Sequence, residues 1–270
     1  MELIDLSMTL STSAVAPTKT RIKRCSHRKG AFLLAVEAVY SGRSITEILK
    51  YLCCGRILRS KDFKNKEGLA WETVHTMTHR GTHMDAPYHY GSKYKNRAAR
   101  TIDQVPLEWC YGDGVLFKFG HKKAGEYIYA DEIQTQLYEM DYELKAGDIV
   151  LIETGSSKYR NEKKYLNCYP GLHINALELL LSRGIRVIGV DAYSLDRPTR
   201  YMVSDYIEKK DDTALWPTHF AGRDKEYCQI EQLAGLDRLK VRHGFKICCF
   251  PISIEKASAG FTRVVAIIDI

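Results

Sequence analysis

The alternation of apolar and polar positions divides the chain into short strands and amphipathic helices. Residues 1–12 read as a short strand, and the apolar run at 31–40 is compatible with another. Ser44-Ile45-Thr46-Glu47 is a capping-box pattern. It predicts a helix with Ile45, Ile48, Leu49 and Leu52 on one face. Residues 61–67 are polar and read as a loop. Over 71–79 the alternation predicts a strand with Thr73, His75, Met77 and His79 on one side. Apolar strands are expected at 114–119 and 148–154, with a helix capped by Asp131 between them. A helix is predicted over 174–183, ending at Gly184, the residue best able to turn left-handed there. Val187-Ile188-Gly189-Val190 then makes a buried strand. Two more strands, at 245–252 and 263–268, close the chain.

Strand, helix and strand in succession imply a βαβ unit. The fold class is therefore α/β, with a mixed, partly parallel β-sheet packed by helices. No internal repeat, low-complexity tract or linker interrupts it, so a single domain over residues 1–270 is expected.

Candidate chemistry is concentrated in His79-Arg80-Gly81-Thr82-His83-Met84-Asp85-Ala86-Pro87-Tyr88-His89, which holds three of the nine His of the chain. Imidazole and carboxylate together suit Zn²⁺, Mn²⁺ or Fe²⁺, whereas carboxylates alone would suit Ca²⁺ or Mg²⁺. Gly81, Thr82 and Pro87 argue against one continuous helix. A strand and tight turn fit better, with His83 and Asp85 projecting to the same side. Gly81 would let the backbone bend to bring in His79, and Pro87 would fix the exit that presents His89. His75 shares the side of His79 and is read as a packing neighbour of the pocket. Asp191 and Asp196 follow the strand at 187–190, where carboxylates either face a ligand crevice or cap the next turn.

The motif His-x-Gly-Thr-His-x-Asp-Ala-Pro-x-His resembles the signature of the cyclase superfamily of metal-dependent hydrolases, which includes bacterial kynurenine formamidase and isatin hydrolase. The resemblance implies a swivelling β/α/β fold, with His79, His83 and Asp85 as metal ligands and His89 as the catalytic acid/base. Ile4-Asp5-Leu6-Ser7 is similar to the opening strand of that family. Gly189-Val190-Asp191 with Ser194-Leu195-Asp196 is similar to another of its segments. Trp216-Pro217-Thr218-His219, followed by Glu231, resembles the distal half of a binuclear centre, which adds His219 and Glu231 to the ligand set. One or two ions of Zn or Mn per subunit are implied, with Asp85 bridging if there are two.

The implied activity is hydrolysis of a small amide, an aryl formamide such as N-formylkynurenine or a lactam. The alternative is a metal-dependent cyclase or dehydratase acting on a natural-product intermediate. The resemblance also implies a homodimer or homotetramer. Relative to the shorter formamidases, the sequence carries extra residues at about 18–70 and 198–217, which are expected to rim the pocket and set specificity.

Composition changes this picture little. The net charge of +7 would raise the question of nucleic acid, but residues 19–29 contribute six Lys and Arg and no acid, so the rest carries only +1. That segment lacks the interleaved aromatics that stack bases, and no nucleic-acid partner is expected. The eight Cys show no C-x-x-C spacing and read as free thiols of a reducing compartment. No run of eighteen apolar residues predicts a membrane span. The N-terminal residues lack the pattern of a signal peptide. A cytoplasmic location and a small-molecule substrate are the expectations.

Overall fold

The computed structural model describes residues 1–15, 17–55 and 57–269. The chain resolves into two compact units, Met1–Thr18 with Met77–Ile270, and Lys19–Thr76. The smaller unit covers most of the extra segment noted at 18–70.

The larger unit is built on nine strands. In chain order they are β1 (Glu2–Asp5), β2 (His83–Asp85), β3 (Tyr111–Lys118), β4 (Ile149–Glu153), β5 (Val187–Val190), β6 (Cys228–Glu231), β7 (Phe245–Cys248), β8 (Ala259–Phe261) and β9 (Val265–Ile268). Their order across the sheet is β1-β9-β7-β3-β4-β5-β6-β2-β8. The four central strands, β3 to β6, run parallel, and the flanking pairs are antiparallel. The mixed α/β sheet is therefore as expected, and the strand at 187–190 falls where its apolar run placed it.

Both faces of the parallel part are buried, which is why its strands read as continuous apolar runs. Val115, Phe117, Val150, Ile152 and Ile188 face one cluster, where the helices Ala130–Glu139 and Ile174–Ser182 contribute Ile133, Leu177 and Leu180. Leu116, Ile149, Leu151 and Ile230 face the other, with Leu6, Met84 and Ile247. The first of these helices is capped by Tyr129, and Asp131 sits inside its first turn. The second ends at Gly184, whose φ of +84° supplies the left-handed turn.

The smaller unit pairs Arg21–Cys25 antiparallel with Trp71–His75 and adds the helices His27–Tyr40 and Ile45–Cys53. The apolar run at 31–40 is thus a helix, not the expected strand. Ser26 caps it by accepting from the Lys29 N–H, and Ala31, Leu33, Leu34 and Ala35 are strong helix formers. The capping box at Ser44 and Glu47 forms as read from sequence. The loop at 61–67 contains two short 3-10 turns. The strand expected to run through to His79 ends at His75, which is exposed in this unit.

Candidate metal centre

Strand β2 lies between β6 and β8, and its register sets the site. His83 stands opposite Glu231, and Asp85 opposite Gln229. Cross-strand pairing thereby brings the two sequence-distant halves together. Gly81, at φ +63°, makes the left-handed bend before β2. Beyond it the Thr82 hydroxyl donates to the Gln232 carbonyl at 2.5 Å and accepts from the Met8 N–H at 2.7 Å. This anchors the start of the strand to two other segments.

Each imidazole is oriented through one nitrogen, leaving the other free to face the site. Nδ1 of His83 lies 2.8 Å from the Gly81 carbonyl, so that nitrogen carries the proton. Its Nε2 points at Asp85 Oδ1 (3.3 Å) and Glu231 Oε2 (3.8 Å). Nε2 of His79 meets the Ser258 hydroxyl at 2.9 Å, and Nδ1 is 2.7 Å from Asp85 Oδ1. His219, on the helical turn Pro217–Ala221, has Nδ1 2.6 Å from Asp196 Oδ2. Its Nε2 lies 4.0 Å from Asp85 Oδ2 and 3.7 Å from Glu231 Oε1. Pro87 opens the turn Pro87–Tyr90, which carries His89. The His89 ring centre is 4.2 Å from that of His79 and 5.4 Å from that of His219.

His83 and Asp85 are fully buried. Yet His83 Nε2 and both Asp85 oxygens lack a hydrogen-bond partner among the described residues. A buried carboxylate faced only by imidazoles is costly unless a cation, a proton on those rings or a metal, completes it. His79, His83 and Asp85 offer ligand atoms within 4.8 Å of one another, and so do Asp85, His89 and His219. Imidazoles fixed by outer partners around a shared carboxylate fit a divalent transition metal.

The electrostatics agree with that fit. Burial opposes ionisation of Asp85, but the charge of His83 and contacts with His79 and His83 hold its pKa well below the carboxylate range. Burial raises Glu231 to about 6, and the Asp85 charge adds to the rise. Burial works against charge on His219, yet the Asp196 contact and the nearby carboxylates lift it to about 9. His89 falls to about 4 through loss of water and the neighbouring imidazoles, against the pull of Asp85. A proton on His219 Nε2 would occupy the lone pair that a metal takes instead.

All six residues singled out in the sequence therefore converge, and His79, His89, His219 and Glu231 line a cavity of about 230 Å³ with Tyr193 and Trp216. His89 is near enough to Asp85 and His219 to share an ion with them. Asp191 takes the turn-capping role: it accepts from Thr154 N, Thr154 Oγ1 and Gly155 N. Asp196 instead holds His219, accepting also from the Thr218 and His219 N–H groups. Ser258 had no signal in the sequence, being 179 residues from His79.

A mixed α/β sheet carrying a His and carboxylate donor set at its edge defines the class of this protein. The chain belongs to the cyclase family: the profile described as putative cyclase matches residues 4–197. An isatin hydrolase bound to the product analogue thioisatinate is similar over 100% of this chain and 93% of its own, with TM-score 0.74 and 19% identity. Isatin hydrolase A from Labrenzia aggregata, bound to benzyl benzoate, is similar over 99% and 93%, with TM-score 0.73 and 20% identity. A potential metal-dependent hydrolase with cyclase activity covers 100% of this chain, 98% of its own, with TM-score 0.58 and 18% identity. At such identities these likenesses establish the fold. No curated protein sequence matches the chain.

Proposed function

We propose that the protein is a metal-dependent hydrolase of a small amide, an aryl formamide or a lactam. The observation that carries this reading is the buried Asp85 carboxylate, which faces the imidazoles of His79, His83 and His219 and receives no backbone N–H or hydroxyl among the described residues. In this reading His79, His83, Asp85, His219 and Glu231 hold the ion or ions. When bound, a divalent metal supplies Lewis acidity and lowers the pKa of water towards about 7.

The residues of the chain do the rest. His89 opens onto the cavity and moves the proton. As the oxygen of water adds to the carbonyl carbon, His89 accepts the proton at its free ring nitrogen. It returns that proton to the leaving nitrogen when the C–N bond breaks, giving amine and carboxylate or formate. Tyr193 and Trp216 offer apolar walls suited to a flat aromatic substrate.

The two Asp85 oxygens are divided, one towards His79 and His83 and the other towards His219. Glu231 is divided in the same way, between His83 and His219. This favours two ion positions. Glu231→Gln is then expected to lower metal content from near two per chain towards one, and unchanged stoichiometry would leave a single-metal hydrolase.

The activity is tested by incubating the metal-loaded protein with a panel of aryl formamides and lactams. Release of formate or of a new carboxylate is the expected result. Loss of water or an isomeric product would point to the lyase alternative, and full metal content without any product would overturn an enzymatic role.

A further inference from the structure

A second cavity, of about 300 Å³, lies beside the metal cavity and shares only Gln232 with it among their lining residues. The chain alternates between the two: His79 lines the first, and its neighbour Arg80 the second. Arg80 is only 4% exposed. A guanidinium brings five N–H donors, and here the described residues answer few of them. Nη2 donates to the Ala14 carbonyl at 3.3 Å, and the buried Nε has no acceptor. No carboxylate pairs with it among the described residues.

Arg197 shows what the fold does with a buried arginine when the charge is to be neutralised. It is 8% exposed, pairs with Asp205, donates to the Gly125 carbonyl and lies over the Tyr127 ring; its Nε lacks an acceptor as that of Arg80 does, so the counter-charge is what separates the two. Among the described residues Arg80 has no such counter-charge. A buried, unpaired cation is expensive, and a negative partner from outside the chain would offset that cost.

The remaining lining fits that partner. Arg160 adds a second positive charge from the exposed rim, Asn161, Ser11 and Ser13 add donors, and no acidic residue lines the cavity. The Ser11 and Ser13 hydroxyls lie 2.8 Å apart, and the Ser13 N–H donates to Ser11 Oγ, which gathers this loop into one polar wall. We propose that this cavity binds a small oxyanion, a carboxylate or a phosphate, gripped by the Arg80 fork with Arg160 at the entrance. Planar, forked donors match the paired oxygens of such anions better than a lysine would.

The test is isothermal titration of the metal-loaded full chain with inorganic phosphate and, separately, benzoate, at constant ionic strength. The variants are Arg80→Gln, Arg80→Lys and Arg160→Gln, with metal content measured in each. Saturable binding of at least one anion is expected. Its affinity should fall at least tenfold in Arg80→Gln and at least threefold in Arg160→Gln, with metal content unchanged. Arg80→Lys, which keeps the charge and loses the fork, should fall between. Whichever anion binds more tightly identifies the source, and either ranking supports the site. Arg160 stands on the rim, so its variant carries the test if Arg80→Gln does not fold. Absence of saturable binding by both anions overturns the proposal. So does an affinity that neither arginine alters, since that anion would be sitting at the metal.

Discussion

Asp191 and Asp85 are both buried at the carboxyl ends of strands in this sheet, and their surroundings are opposite. Asp191, just after β5, has both oxygens supplied: Oδ1 accepts from Thr154 N at 2.7 Å and Thr154 Oγ1 at 2.6 Å, and Oδ2 from Gly155 N at 2.9 Å. Asp85, the last residue of β2, receives no backbone N–H or hydroxyl among the described residues; its oxygens face the imidazole nitrogens of His79, His83 and His219. Neither is more than 1% exposed. Depth alone therefore does not distinguish a structural carboxylate from a functional one. The difference lies in what faces the oxygens: backbone N–H groups and a hydroxyl in one case, imidazole nitrogens in the other.

The largest effect is expected at Asp85. Asp85→Asn keeps the volume and removes the charge. Metal affinity should fall by more than about 10²-fold, beyond the range for residues that only support a ligand, and turnover should vanish with it. Elemental analysis showing full metal content would place the ion elsewhere. His89→Ala comes next. It should retain the metal and lose a factor of about 10² to 10⁴ in kcat, the usual contribution of a general acid/base. Loss of metal in that variant would instead make His89 a ligand, paired with Asp85 and His219.

Asp196 sharpens the contrast because it resembles Asp191 in its bonding while serving the site through His219. Asp196→Asn should weaken metal binding by about 10- to 100-fold without abolishing it, read by titration with a competing chelator. An affinity equal to that of the unmodified protein would reduce Asp196 to a turn cap.

Asp191 should leave the metal untouched and act on stability. Burial raises its pKa from 3.8 to about 6, against the hydrogen bonds from Thr154 and Gly155 and with the charge of Glu153 adding to the rise. The folded state then holds this proton more tightly than the unfolded state between about pH 4 and 6. Its contribution to stability is present below pH 4 and is lost as the pH rises through about 6. Asp191→Asn removes that dependence. Denaturant titrations should show the substitution more harmful at pH 4 than at pH 7, by up to about 2–3 kcal/mol. An equal effect at both values would mean that Asp191 titrates normally.

Local pattern carried far in this chain. The strand at 187–190 and the helix before it followed from apolar runs and from a terminal Gly, because burial on both faces and left-handed termination leave direct marks on composition. The capping box at Ser44 is likewise a local device. Residues 31–40 are helical rather than extended: an apolar stretch alone does not separate strand from helix, and the Ser26 cap that decides the matter lies outside it.

The site divides in the same way. His79, His83, Asp85 and His89 are legible together because one bend at Gly81 and one turn at Pro87 suffice to gather them. His219 and Glu231 could be matched to a family pattern, but their place beside Asp85 is set by the antiparallel register of β2 and β6. Hydrogen-bond pairing between strands more than 140 residues apart in sequence is a property of the assembled sheet. The same is true of the partners that aim the imidazoles, Ser258 for His79 and Asp196 for His219, and of the unpaired state of Arg80. The sequence determined which ligands are available; the tertiary structure alone decided which of their atoms are left without a partner, because that depends on what the rest of the fold brings within about 3 Å.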